Sequence, residues 1–388
     1  MKRKFFASAL IVILVIFVIT IFSRNIHSWY RTSAQSSKKH AQLSAKEKPT
    51  HPSVSPIFTL TGFKGIIGGV SFSSDNTKLA TADSGDNVTL WNLQNKKTLL
   101  TYEKSKDTGS VIFSANGDYL ISPWIEVWNA KTGKLLRKFE DGHKGDAIIE
   151  ALMYNPYTPN TQKYYVQKSK VPAGLTDFKV STDGKYFATS SNDRTTEIWD
   201  TQQGKLKWVL KGHTGSVESI AFSSDGKLLA SGSVDRTVKI WDVGTGKLKH
   251  TLKGSTDTPR ALTFISGNKL LASANQDGAI LIWDVSTGKL KRKHDLDSII
   301  PYAVFSGDGR RLLTQMTDYG LADNQIAGGI DIYDTMSGQM LYDLHVDNFG
   351  IQAYTLSNDG KMAAVSGAEY NQKYKNGYRM AVKVWNLK

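Results

Sequence analysis

An aromatic residue followed by Asp or Asn closes a β-like run seven times along this chain. The pairs are Trp91-Asn92, Trp128-Asn129, Trp199-Asp200, Trp241-Asp242, Trp283-Asp284, Tyr333-Asp334 and Trp385-Asn386. Trp199, Trp241 and Trp283 are spaced by 42 residues. A fixed period of that length marks a repeat array, in which each unit buries its apolar face only against its neighbours. The clearest copy, 212–242, opens on Gly212-His213 and continues with runs at 216–222, 228–233 and 238–242, and the segment 248–252 closes the unit. Four short runs rich in β-formers, separated by Gly/Asp turns, predict a four-stranded antiparallel meander. The 33 glycines against nine prolines suit a chain of many tight turns.

A unit bracketed by Gly-His and Trp-Asp resembles the WD40 repeat, and the likeness spans 57–388. It implies an all-β fold, a seven-bladed WD40-type β-propeller. The seventh unit reaches Lys388 three residues after Trp385 and lacks a fourth strand, while 58–62 (Phe-Thr-Leu-Thr-Gly) aligns with 208–212. The N-terminal strand is therefore expected to complete the last blade and close the ring, which removes the open edges of a solenoid.

In WD40 proteins the repeated polar residues form a hydrogen-bonded chain. Here the resemblance assigns that chain to His213, Ser231, Ser233, Asp235 and Trp241. A Ser, a His and an Asp also suggest a catalytic triad. A structural network accounts for every member instead, because a buried indole N–H needs an acceptor and a buried turn Asp needs donors. Phe63 and Ser255 stand where other copies would carry the His. The stretch 244–247 (Gly-Thr-Gly-Lys) lacks the spacing of a phosphate loop and reads as a strand-connecting turn. The chain has no cysteine, which excludes disulfides, thiol nucleophiles and Cys-ligated metal. No His cluster has metal-ligand spacing. The expectation is no catalytic residue, no metal and no cofactor.

The N-terminus reads differently. Residues 5–22 are an uncharged apolar run after Lys2, Arg3 and Lys4, long enough to span about 27 Å as a helix. No small-residue cleavage pattern follows, and Trp29-Tyr30 suit a membrane interface. The expected organisation is a cytoplasmic 1–4, a transmembrane signal anchor at 5–22, a flexible stalk at 23–56 and the propeller at 57–388. The flanking bases place the propeller on the extracytoplasmic, periplasmic side of a cell membrane. Degenerate repeats, a single anchor and the lack of cysteine look bacterial. Of the net charge of +14, residues 1–56 supply +8. The remaining bases lie mostly in repeated turn positions around the ring rather than on one stripe, so no nucleic-acid partner is expected.

Departures from the period point to function. Extra residues fall at 141–174, at 318–328 and at 368–379. In an antiparallel meander the connections after strands two and four share one face, so all three insertions decorate the same side of the ring. They hold eight of the sixteen tyrosines: Tyr154, Tyr157, Tyr164, Tyr165, Tyr319, Tyr370, Tyr374 and Tyr378. Lys373, Lys375 and Arg379 add charge to the last insertion. Tyrosine offers large contact area at small entropic cost, so these residues are the candidate surface for a protein, peptide or glycan. The bland alternative is that they pack the loops onto the ring. The leading reading is a membrane-anchored interaction scaffold. A central-channel propeller enzyme and a structural subunit of a cell-envelope complex stand as alternatives.

Overall fold

Seven four-stranded antiparallel sheets account for the seven repeats. The computed structural model describes residues 54–388, apart from 86, 104–109, 115–116, 123–125, 139–145, 155–163, 173, 202, 297–298, 317–326, 348, 372 and 375–376. Blades 1 to 6 span 67–103, 112–138, 175–211, 217–252, 259–295 and 303–347. Blade 7 joins Phe349–Leu356, Met362–Tyr370 and Tyr378–Asn386 to the N-terminal strand Phe58–Leu60. That strand pairs Phe58 with Val384, Thr59 with Lys383 and Leu60 with Val382. The expected closure is therefore present. The anchor at 5–22 and the stalk residues before Val54 lie outside the described residues. Among the described residues no helix is long and apolar enough to cross a membrane.

Each blade shows one division of labour. In blade 4 the second strand, Leu228–Ser233, is buried almost throughout, and the fourth, Leu248–Leu252, is mostly exposed. First strands pack against the next blade around the centre of the ring. Ser219 Oγ donates to Pro259 O at 2.8 Å and the Phe113 amide to Ser71 Oγ at 3.1 Å, and Ser366 Oγ, on the second strand of blade 7, donates to Ile67 O of blade 1 at 3.0 Å. Fourth strands are joined to the following blade as well. Tyr102 Oη donates to Ala130 O at 2.9 Å, Trp208 Nε1 to Val243 O at 3.1 Å, and His294 Nε2 to Met336 O at 2.9 Å. Between these bonds lie clusters shared across blades, such as Val382 and Val384 of blade 7 with Ile67, Val70 and Phe72 of blade 1.

The turns after first strands repeat a Ser-x-Asp lock. Ser73, Ser181, Ser223, Ser306 and Ser357 donate to Asp75, Asp183, Asp225, Asp308 and Asp359 at 2.5, 2.7, 2.6, 2.6 and 2.7 Å. The Ser223 hydroxyl is the main reason the Asp225 carboxyl sits below its ordinary value. The stretch 244–247 is a turn as expected: Gly246, at φ 69°, donates its amide to Asp242 O at 2.8 Å.

One expectation needs correcting. The bases are not spread evenly around the ring. The fourth strands of blades 2 to 5 carry most of the excess, because their Lys-Leu starts continue as basic strands such as KLKWVLK and LKRKHD.

Candidate functional site

The repeat network sits between the insertion-side loops and the core of blade 4. His213 Nδ1 lies 2.9 Å from Asp235 Oδ2, and His213 Nε2 lies 2.8 Å from Ser231 Oγ. Trp241 Nε1 donates to the same Ser231 oxygen at 2.8 Å. With a neutral imidazole the order of donors is fixed. The indole N–H feeds Ser231, Ser231 O–H feeds Nε2, and Nδ1–H feeds the carboxylate. Thr237 Oγ1 and the Thr214 amide also donate to Asp235, at 2.6 and 2.9 Å. Ser233 stands beside this chain, accepting from the Asp235 amide at 3.1 Å and donating to Gly215 O at 3.0 Å.

Electrostatics agree with a neutral imidazole. Burial pulls His213 below its ordinary 6.5, and the Asp235 bond only partly offsets that. Burial pushes Asp235 the other way, yet the bonds from Thr237, Thr214 and His213 outweigh it and hold the carboxyl at about 2. Distances alone would suit a nucleophile, base and orienting acid. Access does not suit one: Ser231 is 0% exposed and its oxygen already accepts the indole proton. This constellation ties strands together.

Sequence reasoning missed the breadth of the motif. The position of Ser231 in its strand is Thr81, Ser122, Thr189, Ser273 and Thr314 in five other blades and Val365 in the seventh. Trp91 Nε1 donates to Thr81 Oγ1 at 3.0 Å. Val365 has no oxygen to offer, and Trp385 Nε1 turns instead to Val54 O at 2.8 Å. In the sixth blade Tyr333 Oη donates to Asp331 Oδ2 at 3.0 Å. Stacking the seven copies column by column would have shown the Ser/Thr position.

The tyrosine insertions divide into two described hairpins. Strands Asp146–Tyr154 and Tyr164–Pro172 form a separate antiparallel pair between blades 2 and 3, in which Tyr154 faces Tyr164 and Met153 faces Tyr165 in register. Tyr157, Tyr319 and Lys375 lie outside the described residues. In blade 7 the second and third strands run on past the ring as a hairpin, with Tyr370 opposite Tyr378. Two hairpins thus each end in a cross-strand tyrosine pair.

The blade 7 hairpin is held by one carboxylate. Glu369 Oε2 accepts from Tyr374 Oη at 2.8 Å and from Arg379 Nε at 2.6 Å, and Lys383 Nζ lies 3.6 Å from Oε1. Partial burial opposes ionisation of Glu369, but these donors more than offset it and its pKa falls below the ordinary value. The cations of Lys373 and Arg379 lie 5.1 and 4.9 Å from the centre of the Tyr374 ring. Tyr374 therefore packs within the hairpin. The Tyr370 and Tyr378 ring centres are 6.1 Å apart and tilted by 54°. Tyr370 leans over Gly350, where an added Cβ would sit 3.2 Å from its hydroxyl. Tyr378, 47% exposed, presents the free face of the pair.

Among the described residues the inner strands offer no comparable open chemistry. Arg260 Nη1 donates to Glu218 at 3.0 Å and its Nη2 to Gln276 at 2.6 Å, and Lys179 bonds Asp177 at 2.5 Å. Among the described residues no group of three His, Cys, Asp or Glu is placed to hold a metal ion.

Comparison with known proteins gives the repeat its identity. Residues 54–92, 165–200, 204–242 and 246–284 match the repeat described as WD domain, G-beta repeat. The matches fall on blades 1, 3, 4 and 5. Blades 2, 6 and 7 are blades by strand order. Periodic tryptophan protein 2 of Arabidopsis thaliana is 27% identical over 177 residues, 40% of this chain and 19% of that protein. The U5 small nuclear ribonucleoprotein 40 kDa protein of Homo sapiens is 23% identical over 169 residues, 37% of this chain and 47% of that protein. The human angio-associated migratory cell protein is 28% identical over 168 residues, 42% and 32% of the two chains. This chain spans less than half the length of each. All three are eukaryotic and lend no support to a bacterial origin.

Proposed function

We propose that this chain is an interaction scaffold whose insertion-bearing face holds a protein or peptide partner. The observation that carries the reading is the contrast between the two faces. One keeps short turns locked by Ser-x-Asp bonds, while the other raises two hairpins tipped with paired tyrosines. Loops that depart from a rigid repeat are where such folds place recognition. Scaffold roles are consistent with the WD40 repeats and with relatives that include a ribonucleoprotein subunit. The network around His213 serves the ring, and no reaction is assigned to it.

The anchor at 5–22 completes the proposal by tethering the scaffold to a membrane, with the ring on its extracytoplasmic side. A fourth strand runs from the short-turn face toward the insertion face, and Phe58–Leu60 is the fourth strand of blade 7. The chain therefore enters the ring on the short-turn face, opposite the hairpins. A photo-crosslinking residue in place of Tyr378 should give a discrete protein adduct in cells. The same residue in place of Lys361, on the opposite face, should give none. Equal labelling from both positions would overturn the assignment.

A further inference from the structure

The outer wall of blades 2 to 5 carries a charge that the scaffold reading leaves unexplained. The segments 134–138, 205–211, 247–253 and 289–295 hold thirteen lysines and arginines against one acid, Asp295. Their net of +12 is twice the net charge of the whole 57–388 region. The other outer strands differ. Met340–Asp347 has two acids and no lysine or arginine, Phe58–Leu60 has neither, and Lys97–Glu103 has one of each. The charge is thus an arc on one side of the ring.

Lysines on edge strands also guard against sheet-to-sheet pairing, and each of these strands carries a bulge that does the same. That function is needed equally at all seven edges, yet blades 6 and 7 manage without a base. Lys205, Lys211, Lys247, Lys249, Lys253 and Lys289 are exposed and in no ion pair among the described residues. Lys291 and Lys293 are paired, with Asp284 and Asp295 at 3.7 and 2.9 Å. Between the bases, Leu206, Leu248 and Leu290 stand 41%, 45% and 42% exposed at one equivalent position per blade.

We propose that this wall is a docking surface for an anionic lipid bilayer. The composition fits that occupant better than a nucleic acid. Lysine, a compact point charge without a planar fork, outnumbers arginine, and Trp208, the wall's one indole, is half-buried with its N–H bonded to Val243 O. Base recognition draws on arginine forks and exposed aromatic faces, whereas interfacial binding draws on lysine combined with shallow apolar side chains. The proposal rests on the wall itself and holds with or without the anchor at 5–22.

The chain's lack of cysteine permits single-site labelling of the full-length protein. A polarity-sensitive fluorophore would be placed at Thr251→Cys on the wall, or at Thr59→Cys on the opposite side. Vesicles would be phosphatidylcholine alone or with about one third phosphatidylglycerol. The label at 251 should move to an apolar environment only with the anionic lipid, and high salt should reverse it; the label at 59 should stay unchanged. Replacing Lys205, Lys249 and Lys289 by Ala should weaken the response about a hundredfold, at about fivefold per charge. The same change at Lys64, Lys361 and Lys388 should have little effect. A label at 251 indifferent to anionic lipid overturns the proposal, as do equal losses in the two triple variants. So does salt-sensitive capture of an oligonucleotide or an acidic polypeptide by a wall that ignores the lipid. Flotation with phosphatidylcholine alone reads the anchor separately. If that fails, recruitment to anionic vesicles still decides the wall.

Discussion

Replacing Ser231 by Ala removes one oxygen and tests how much the blade 4 network contributes. The oxygen is wholly buried and bonds two partners, accepting from Trp241 Nε1 and donating to His213 Nε2, both at 2.8 Å. No methyl group is lost, so a cavity contribution is small. What remains is an indole N–H and an imidazole nitrogen without partners, each costing about 1–3 kcal/mol. Blade 5 already tolerates Trp283 Nε1 buried without a hydrogen bond, which favours the lower half of that range. The expected loss is about 2–4 kcal/mol. Spread over a ring of this size, that is a Tm fall of about 3–6 °C. Ser273→Ala provides the reference, since Ser273 holds the same strand position but donates only to Asn275, at 2.8 Å. Urea unfolding with matched slopes should show Ser231→Ala costing at least twice as much as Ser273→Ala. Equal costs, or a Ser231→Ala loss under about 0.5 kcal/mol, would refute the idea that the chain of bonds acts as a unit.

Three further outcomes are expected. His213 is held below its ordinary 6.5, so the unfolded chain takes up this proton more readily. Stability from this group is complete above pH 6.5 and declines as pH falls below it, by at most about 1.4 kcal/mol per pH unit. Unfolding curves of His213→Gln should lack that component; an identical pH profile would count against it. A chain trimmed to begin at 57 should be about 1–3 kcal/mol less stable than one trimmed to begin at 54, because Trp385 Nε1 loses its Val54 acceptor, and Val365→Thr should recover some of it by restoring a hydroxyl in the usual place. No coupling between the two changes would contradict the strand alignment. Glu369→Gln should speed hydrogen exchange across the blade 7 hairpin while shifting global unfolding by less than about 1 kcal/mol, because the bonds it loses lie beyond the ring.

The fold was legible because the repeat states the same strand and turn chemistry seven times, and 58–62 carries the missing copy of the last strand. The position of the large insertion was legible too, from the spacing between Trp128 and Trp199. Its form was not. Period counting shows where 29 residues are added, yet nothing in that count says that nine of them pair in register with nine more. The tyrosines were chosen as a group by type and place. Only the folded structure separates Tyr374, bonded to Glu369, from the more exposed Tyr378. Trp385 shows the limit from the other side. Its Val54 acceptor is a backbone carbonyl 331 residues away, and no side-chain pattern announces a carbonyl.

The closing strand also sets how the ring would bear a pull. Tension arriving through Val54 meets three register pairs with Tyr378–Asn386 and the bond from Trp385. Drawn along the strand axis, those bonds share the load and must slip together. Drawn sideways, they break in succession from the end. The same joint is a stiff coupling in one direction and a tear strip in the other, and the path of the preceding chain decides which.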